Sequence, residues 1–315
     1  MRLVCMSHSP LMLVDELSPS DQAAASGFFG SLERSAKWIS DYAPELVVMF
    51  APDHFNGFFY DLMPSFCIGT QATSTRDWNM PQKALNVPTA IAERCIEHVR
   101  GRGIDVAVSR RMKCDHGFTV SLAKLFGDLD RPPLLPVFVN CAAHPRPTFE
   151  RVRLLGEAIG DFTRGLGLRT VFIGSGGLSH DPPTPRPGTP EPIPDRVIDR
   201  HTPSLEELDR RQARVVQNAK ALVAGGGPLL EPDRGWDRDF LDRFLSQRFD
   251  LLDAYTDEEI NQVAGFGGHE IRAWVAACAA MQATGEFDSR LDFYRVVPEW
   301  ITGMAVVRGA ATGSL

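Results

Sequence analysis

The chain has 315 residues, of which 43% are hydrophobic, with a formal net charge of −7, a pI near 5.6 and a mean hydropathy of −0.13. That is enough apolar material for one or two soluble cores of roughly 150 residues each, or for one large α/β domain. No block of the sequence is dense in Lys or Arg, and an acidic balance of this kind argues against a nucleic-acid partner, whose phosphates demand clustered cations. The apolar run at 273–281 is far short of the ~20 residues a membrane span needs, so no membrane association is expected. The chain enters a strand-like run at once, without the charged segment and long apolar core of a leader peptide. Its six cysteines, at 5, 67, 95, 114, 141 and 278, form no Cys-x-x-Cys pair or compact framework. Reduced thiols in a cytoplasmic protein are the expectation.

In chain order, strand and helix signals alternate. Arg2–Met6 is an apolar run that ends in Ser7-His8-Ser9-Pro10. Ser18-Pro19-Ser20-Asp21 has the character of a helix start, with Ser18 as N-cap and Pro19 at the first helical position, and Phe28, Leu32, Ala36 and Ile39 recur at helical spacing up to Tyr42. Leu46–Phe50, rich in β-branched residues, reads as a strand buried on both faces, and it runs into Pro52-Asp53-His54. A short strand is expected within 64–69, a helix from Pro88 to Gly101, and a weaker strand at 105–109 before Cys114-Asp115-His116-Gly117-Phe118. Residues 119–126 read as helix, 134–140 as strand, and Pro147 opens a helix with Val152, Leu155, Ile159 and Phe162 on one face. Arg169–Ile173 is a third major strand, followed by Gly174-Ser175-Gly176-Gly177-Leu178-Ser179-His180. The order implies an α/β protein with a mostly parallel sheet and helices on both faces.

From 181 to 203 the pattern breaks: eight prolines lie in this stretch, which has almost no apolar periodicity. A loop of that length is a candidate flap beside a site. Residues 204–283 are then expected to be mainly helical, with segments at 204–223, 238–248, 257–263 and 269–281.

Four of the eight histidines, His8, His54, His116 and His180, follow strand-like runs and sit in or beside turns. In open α/β sheets chemistry collects beyond the carboxyl ends of the strands, so these four are read together as one site. Two histidines with a carboxylate suit a non-haem Fe(II) centre, and three histidines suit zinc. His8 and His54 fit either. Glu270, just after Gly265-Phe266-Gly267-Gly268, is a candidate carboxylate, while its neighbour His269 lies ~100° away around a helix. A zinc site of His8, His54 and His180, and with it a zinc hydrolase or amidase, is an alternative that spacing leaves open. The glycines at 174–177 lack both the P-loop and the dinucleotide-binding spacings, and Gly-x-Ser-x-Gly is absent. His98, His144 and His201 are read as non-ligands, and Cys114 as structural.

The motifs at 7–10, 51–60, 115–118, 174–180 and 269–271, taken jointly, resemble the class III extradiol ring-cleaving dioxygenases. The likeness covers nearly the whole chain, including Tyr294–Gly303, and is weakest around 184–203. It implies a single three-layer α/β/α domain, residues 1–315, with the active site at the carboxyl ends of the strands of a mixed sheet. It implies Fe(2+) held by His8, His54 and Glu270, with His180 as proton acceptor and His116 as proton donor. The implied substrates are dioxygen and a catechol with a three-carbon acid side chain, 2,3-dihydroxyphenylpropionate or 2,3-dihydroxycinnamate, cleaved to a 2-hydroxy-6-oxo dienedioate. It also suggests a homo-oligomer. Asp53 and Asp115, each just before a site histidine, are candidate hydrogen-bond acceptors behind the ligands. Arg196, Arg200 and Arg295 are candidates to receive the side-chain carboxylate.

Overall fold

The computed structural model describes residues 1–184 and 193–314. An eight-stranded sheet organises it, built from β1 (Arg2–Met6), β2 (Leu46–Ala51), β3 (Phe66–Gly69), β5 (Ala107–Ser109), β7 (Leu134–Val139), β8 (Thr170–Ser175), β9 (Phe287–Val297) and β10 (Thr302–Ala311). The strand order is β5-β3-β7-β2-β8-β1-β10-β9, and β4 (Ala72–Ser74) pairs separately with β6 (Met112–Cys114). The centre of the sheet is parallel: β7, β2, β8 and β1 run the same way, with Val48 opposite both Leu135 and Phe172, and Met6 opposite Ser175. Antiparallel strands flank it, β3 against β7 on one side and β10 with β9 on the other.

The pleat divides the core into two layers. Leu46, Val48 and Phe50 face a cluster that includes Val152, Leu155, Ile159 and Trp274, whereas Val47, Met49 and Ala51 face Phe28, Leu32, Val120 and Leu122. The first layer carries α2 (Thr89–Gly101), α4 (Phe149–Leu166), α7 (Arg234–Leu245) and α10 (Ile271–Ala283); the second carries α1 (Gln22–Tyr42), α3 (His116–Phe126) and α6 (Leu205–Val223). Short helices α5 (Asp195–Ile198), α8 (Phe249–Leu252) and α9 (Asp257–Val263) fill the connections. The expected three-layer α/β/α architecture is therefore present.

The apolar run at 273–281 is the buried helix α10, apolar on all sides because it lies between the sheet and α4. Contact with α4 is close: a Cβ on Gly156 or Gly160 would lie 2.2 Å from the carbonyl oxygens of Ala276 and Ala280. Among the described residues no helix is long and apolar enough to cross a membrane. All six cysteines are buried and free.

Several elements differ from the sequence reading: the helix expected at 238–248 is α7, Arg234–Leu245, and the short strands β4 and β6 carry no expectation. Helix α1 starts at Gln22, capped by the Asp21 side chain, which accepts from the N–H groups of Ala23 and Ala24; Ser18 and Pro19 stay outside it. More substantially, the C-terminal β9–β10 hairpin carries no strand expectation. β9 is an edge strand with Asp288, Arg290 and Arg295 at exposed positions, charges typical of strands that must not recruit a further partner. β10 is rich in Gly and Ala and becomes a strand by pairing with β1, some 300 residues away in sequence.

Candidate active site

Parallel neighbours end together, so the loops leaving β1, β2 and β8 open on one spot. His8 lies two residues past β1, His54 three past β2, and Glu270 sits in the 3₁₀ turn Phe266–Glu270 that leads into α10. The turn after β8 holds the glutamate: the Gly177 N–H donates to Glu270 Oε2 at 2.6 Å. A Cβ on Gly176 would come 2.7 Å from the Glu270 carbonyl, so only glycine permits this approach.

Three imidazoles point at that carboxylate. His54 Nε2 is 3.0 Å from Glu270 Oε1, His8 Nε2 is 3.6 Å from Oε2, and His180 Nε2 is 3.5 Å from Oε1. The opposite nitrogen of each ring is fixed. Ser175 has one hydroxyl proton, and its Oγ lies 2.6 Å from the Gly117 carbonyl and 3.0 Å from His8 Nδ1. Donation to Gly117 leaves Ser175 an acceptor for His8 Nδ1–H, so the Nε2 lone pair of His8 faces Glu270. His54 Nδ1 is 3.0 Å from Asp115 Oδ2, an acceptor-only group, which turns its Nε2 to the same point. His180 Nδ1 donates to the Leu178 carbonyl at 2.8 Å.

The electrostatics follow the burial. Burial pulls His8 down to about 3, further than the nearby Glu270 raises it, so this ring is neutral and ready to bind a cation. Burial would also lower His54 and His180, but the Asp115 and Glu270 carboxylates outweigh it at His54, and Glu270 outweighs it at His180, so both are raised. Burial would raise Glu270, yet His8 and His180 lead a set of partners that holds it well below its ordinary value. A buried carboxylate ringed by imidazole nitrogens is the donor set of a divalent cation, with charge to offset the ion's own and three ring nitrogens at hand. His8, His54 and Glu270 therefore fit a metal on chemistry. Nitrogens of His8, His54 and His116 also lie within 4.8 Å of one another, but that set brings no charge, and His116 Nδ1 is committed to Asp77 Oδ2 at 2.5 Å.

His116 opens α3, capped by Asp115, whose side chain accepts the Gly117 N–H. Its ring stacks on His54 with centroids 4.0 Å apart, and it lines the same pocket as His180 and Glu270. The four histidines grouped from the sequence thus meet, together with Glu270. His269 does not join them: its nitrogens face Asn261 and Arg272. Of the two aspartates placed behind the ligands, Asp115 reaches His54 through both the ring and the backbone N–H. Asp53 instead accepts the N–H groups of Asn56, Gly57 and Phe58 and so shapes the loop that carries His54.

Sequence reasoning missed Asp77, Ser175 and Arg211. Asp77 precedes Trp78 and Asn79, two non-glycine residues with positive φ, and no motif marks that turn. Ser175 looked like one polar residue in a glycine turn. Arg211, on α6, donates to the His54 carbonyl at 3.0 Å and to Asn56 Oδ1 at 3.2 Å from 155 or more residues away.

An α/β sheet with a carboxylate-and-imidazole cluster at its strand ends defines a three-layer α/β/α protein whose site has a donor set compatible with a metal, and comparison with known proteins narrows it. Residues 2–305 match the family described as the catalytic LigB subunit of aromatic ring-opening dioxygenase. Among curated relatives, a 2,3-dihydroxyphenylpropionate/2,3-dihydroxicinnamic acid 1,2-dioxygenase of Cupriavidus pinatubonensis is 44% identical, with 97% of each chain covered. Proteins of the same description from Rhodococcus globerulus, 40% identical with 96% of each chain covered, and Photorhabdus laumondii, 42% identical with 97% of this chain and 96% of that one covered, are similar too. An uncharacterized Escherichia coli K12 protein of known structure shares the fold, with a TM-score of 0.52, 14% identity, and 98% of this chain and 99% of that one covered. The chain belongs to the LigB family of class III extradiol dioxygenases and is an extradiol catechol dioxygenase.

Proposed function

We propose that this enzyme uses Fe(II), held by His8, His54 and Glu270, to open the ring of 2,3-dihydroxyphenylpropionate, and of the corresponding cinnamate, between C1 and C2. The observation that carries the reading is the convergence of His8 Nε2 and His54 Nε2 on the buried Glu270 carboxylate, each ring locked from behind. When bound, Fe(II) supplies a Lewis acid for the catechol oxygens and a redox path between the ring and dioxygen. The product is a 2-hydroxy-6-oxo dienedioate; both oxygen atoms enter it, so no external reductant is required.

The remaining work belongs to the chain. His180, with Nδ1–H spent on Leu178, offers Nε2 as the acceptor for a catechol hydroxyl proton. Gly267 makes room for it, because a Cβ there would sit 2.0 Å from His180 Nε2. His116, oriented by Asp77, presents Nε2 as the donor to the oxygen that leaves as the ring opens. Pro10, Leu11, Trp78 and Ile301 supply apolar surface for the ring and keep water away from it.

The test is anaerobic loading with Fe(II), then oxygen uptake with 2,3-dihydroxyphenylpropionate while a yellow ring-opened product is followed by absorbance. Stoichiometric uptake with that product supports the reading. No uptake with any catechol, together with Zn(II)-dependent ester or amide hydrolysis, would replace it with the hydrolase alternative.

A further inference from the structure

The pocket that opens on the histidines has a second set of charged side chains. Arg196, Arg211 and Arg214 line it together with His8, His54 and Glu270, as do Thr184 and Gln212. Arg211 is already committed, its guanidinium spent on the backbone and side chain of the His54 loop. Arg196 and Arg214 make no side-chain hydrogen bond or ion pair with any described residue. The carboxylate nearest in effect to Arg196 is Glu207, which is engaged with His201 at 3.1 Å. Burial, followed by repulsion from Arg211 and Arg214, lowers Arg196 from its usual value, and Glu207 raises it only in part.

Arg196 is also firmly placed. It sits on α5, whose Val197 is fully buried against Phe55 and Phe59 in the loop that follows His54. The N–H groups of Tyr60 and Asp61 donate to the carbonyls of Val197 and Ile198 at 2.9 and 2.7 Å, tying α5 to that loop. The other arginines considered from the sequence lie elsewhere. Arg200 faces Asp61 at 3.7 Å and lines a neighbouring cavity, and Arg295 is exposed on β9.

We infer that Arg196, assisted by Arg214, forms the subsite that receives the anionic side chain of the substrate, with the catechol end directed at His8, His54 and Glu270. The pocket carries both chemistries, the carboxylate and imidazoles of Glu270, His8 and His54 and the guanidinium groups of Arg196 and Arg214, which pair with no described residue. A ligand with two metal-binding hydroxyls and a carboxylate on a short flexible arm matches both, and guanidinium presents a fork suited to carboxylate. This rests on the dioxygenase reading for the catechol end only.

Two measurements separate the ideas. The first is calorimetric binding of 3-phenylpropionate, which has no catechol, to metal-free protein, with 3-phenyl-1-propanol as the neutral control. Wild type should prefer the acid, and Arg196→Gln should weaken acid binding about 10- to 100-fold, with Arg214→Gln weaker by less and Arg196→Lys intermediate. The second is the ratio of kcat/KM for 2,3-dihydroxyphenylpropionate over 3-propylcatechol in the Fe(II) enzyme. That ratio should fall about 10- to 100-fold in Arg196→Gln, through KM. If wild type shows no preference for the acid, or if neither arginine variant changes it, the subsite is overturned while ring cleavage stands. If wild type cleaves no catechol, the dioxygenase reading fails, and the calorimetry alone still decides whether Arg196 binds the carboxylate.

Discussion

Asp115→Asn tests how much the proposed metal centre depends on the groups behind it. Asp115 Oδ1 accepts the Gly117 N–H at 2.9 Å as the α3 cap, while Oδ2 accepts from the His54 N–H at 2.8 Å, His54 Nδ1 at 3.0 Å and Asn56 Nδ2 at 3.0 Å. Asparagine is as good a cap as aspartate, so α3 should survive. Its amide nitrogen, however, would replace the oxygen that faces three donors, and the charge that orients His54 is lost. Two effects can be sized. Loss of charge-assisted hydrogen bonds at a buried carboxylate costs about 1.5–3 kcal/mol of stability. Loss of an acceptor behind a ligating histidine weakens metal binding about 10- to 100-fold. The assay is competition for Co(II), as a redox-stable surrogate, against a coloured chelator, with thermal melts of the metal-free protein as control. If Asp115→Asn folds and binds metal within twofold of wild type, the argument from the groups behind His54 is wrong.

Four further outcomes follow from the geometry. Gly267→Ala drives a methyl into the space of His180 Nε2, so kcat should fall at least about 100-fold while Co(II) affinity changes little; equal turnover in the variant would remove His180 from the chemistry. Asp77→Asn frees His116 from its orienting carboxylate and should lower kcat more than KM, and a pure KM effect would contradict the role given to that pair. Gly156→Val places a branched side chain on the Ala276 carbonyl 2.2 Å away, and urea melts should show a loss of about 1–3 kcal/mol or more; a neutral result would mean α4 and α10 can move apart freely. Burial pushes the Asp237 carboxyl up to about 6, above its ordinary 3.8, so the folded state holds that proton more tightly than the unfolded chain. Its contribution is complete below about pH 4 and lost as pH rises through 6, up to about 3 kcal/mol relative to Asp237→Asn. Urea melts of both metal-free proteins from pH 4.5 to 7.5 check this, and parallel curves would refute it.

Local signals in the sequence carried the central sheet and its helices. β1, β2, β7 and β8 are short apolar runs flanked by turns, and α2 and α9 are bounded by residues that cap or break helices. Signals that depend on distant partners were not visible. β10 has no strand character until β1 lies beside it, and the charges of β9 mask its alternation. At the site, the histidines stood out because each follows a strand, and Glu270 was favoured over His269 by its likeness to the family rather than by spacing. The support behind the rings comes from Asp77, Ser175 and Arg211, ordinary polar residues whose importance arises only when β8, α6 and the turn before Met80 are folded against the ligand loops. The notion that Asp53 braces a ring gives way to loop building, since an aspartate can satisfy three backbone N–H groups locally before it reaches a side chain.

The most direct test of the account is turnover of 2,3-dihydroxyphenylpropionate by the Fe(II) protein under ¹⁸O₂, with mass spectrometry of the product from wild type and from His8→Ala, His54→Ala and Glu270→Ala. The account predicts a ring-opened dienedioate carrying label from both oxygen atoms in the wild type, and no product from any of the three variants with Fe(II) supplied. Label-free product, intradiol cleavage, or undiminished turnover in Glu270→Ala would contradict it.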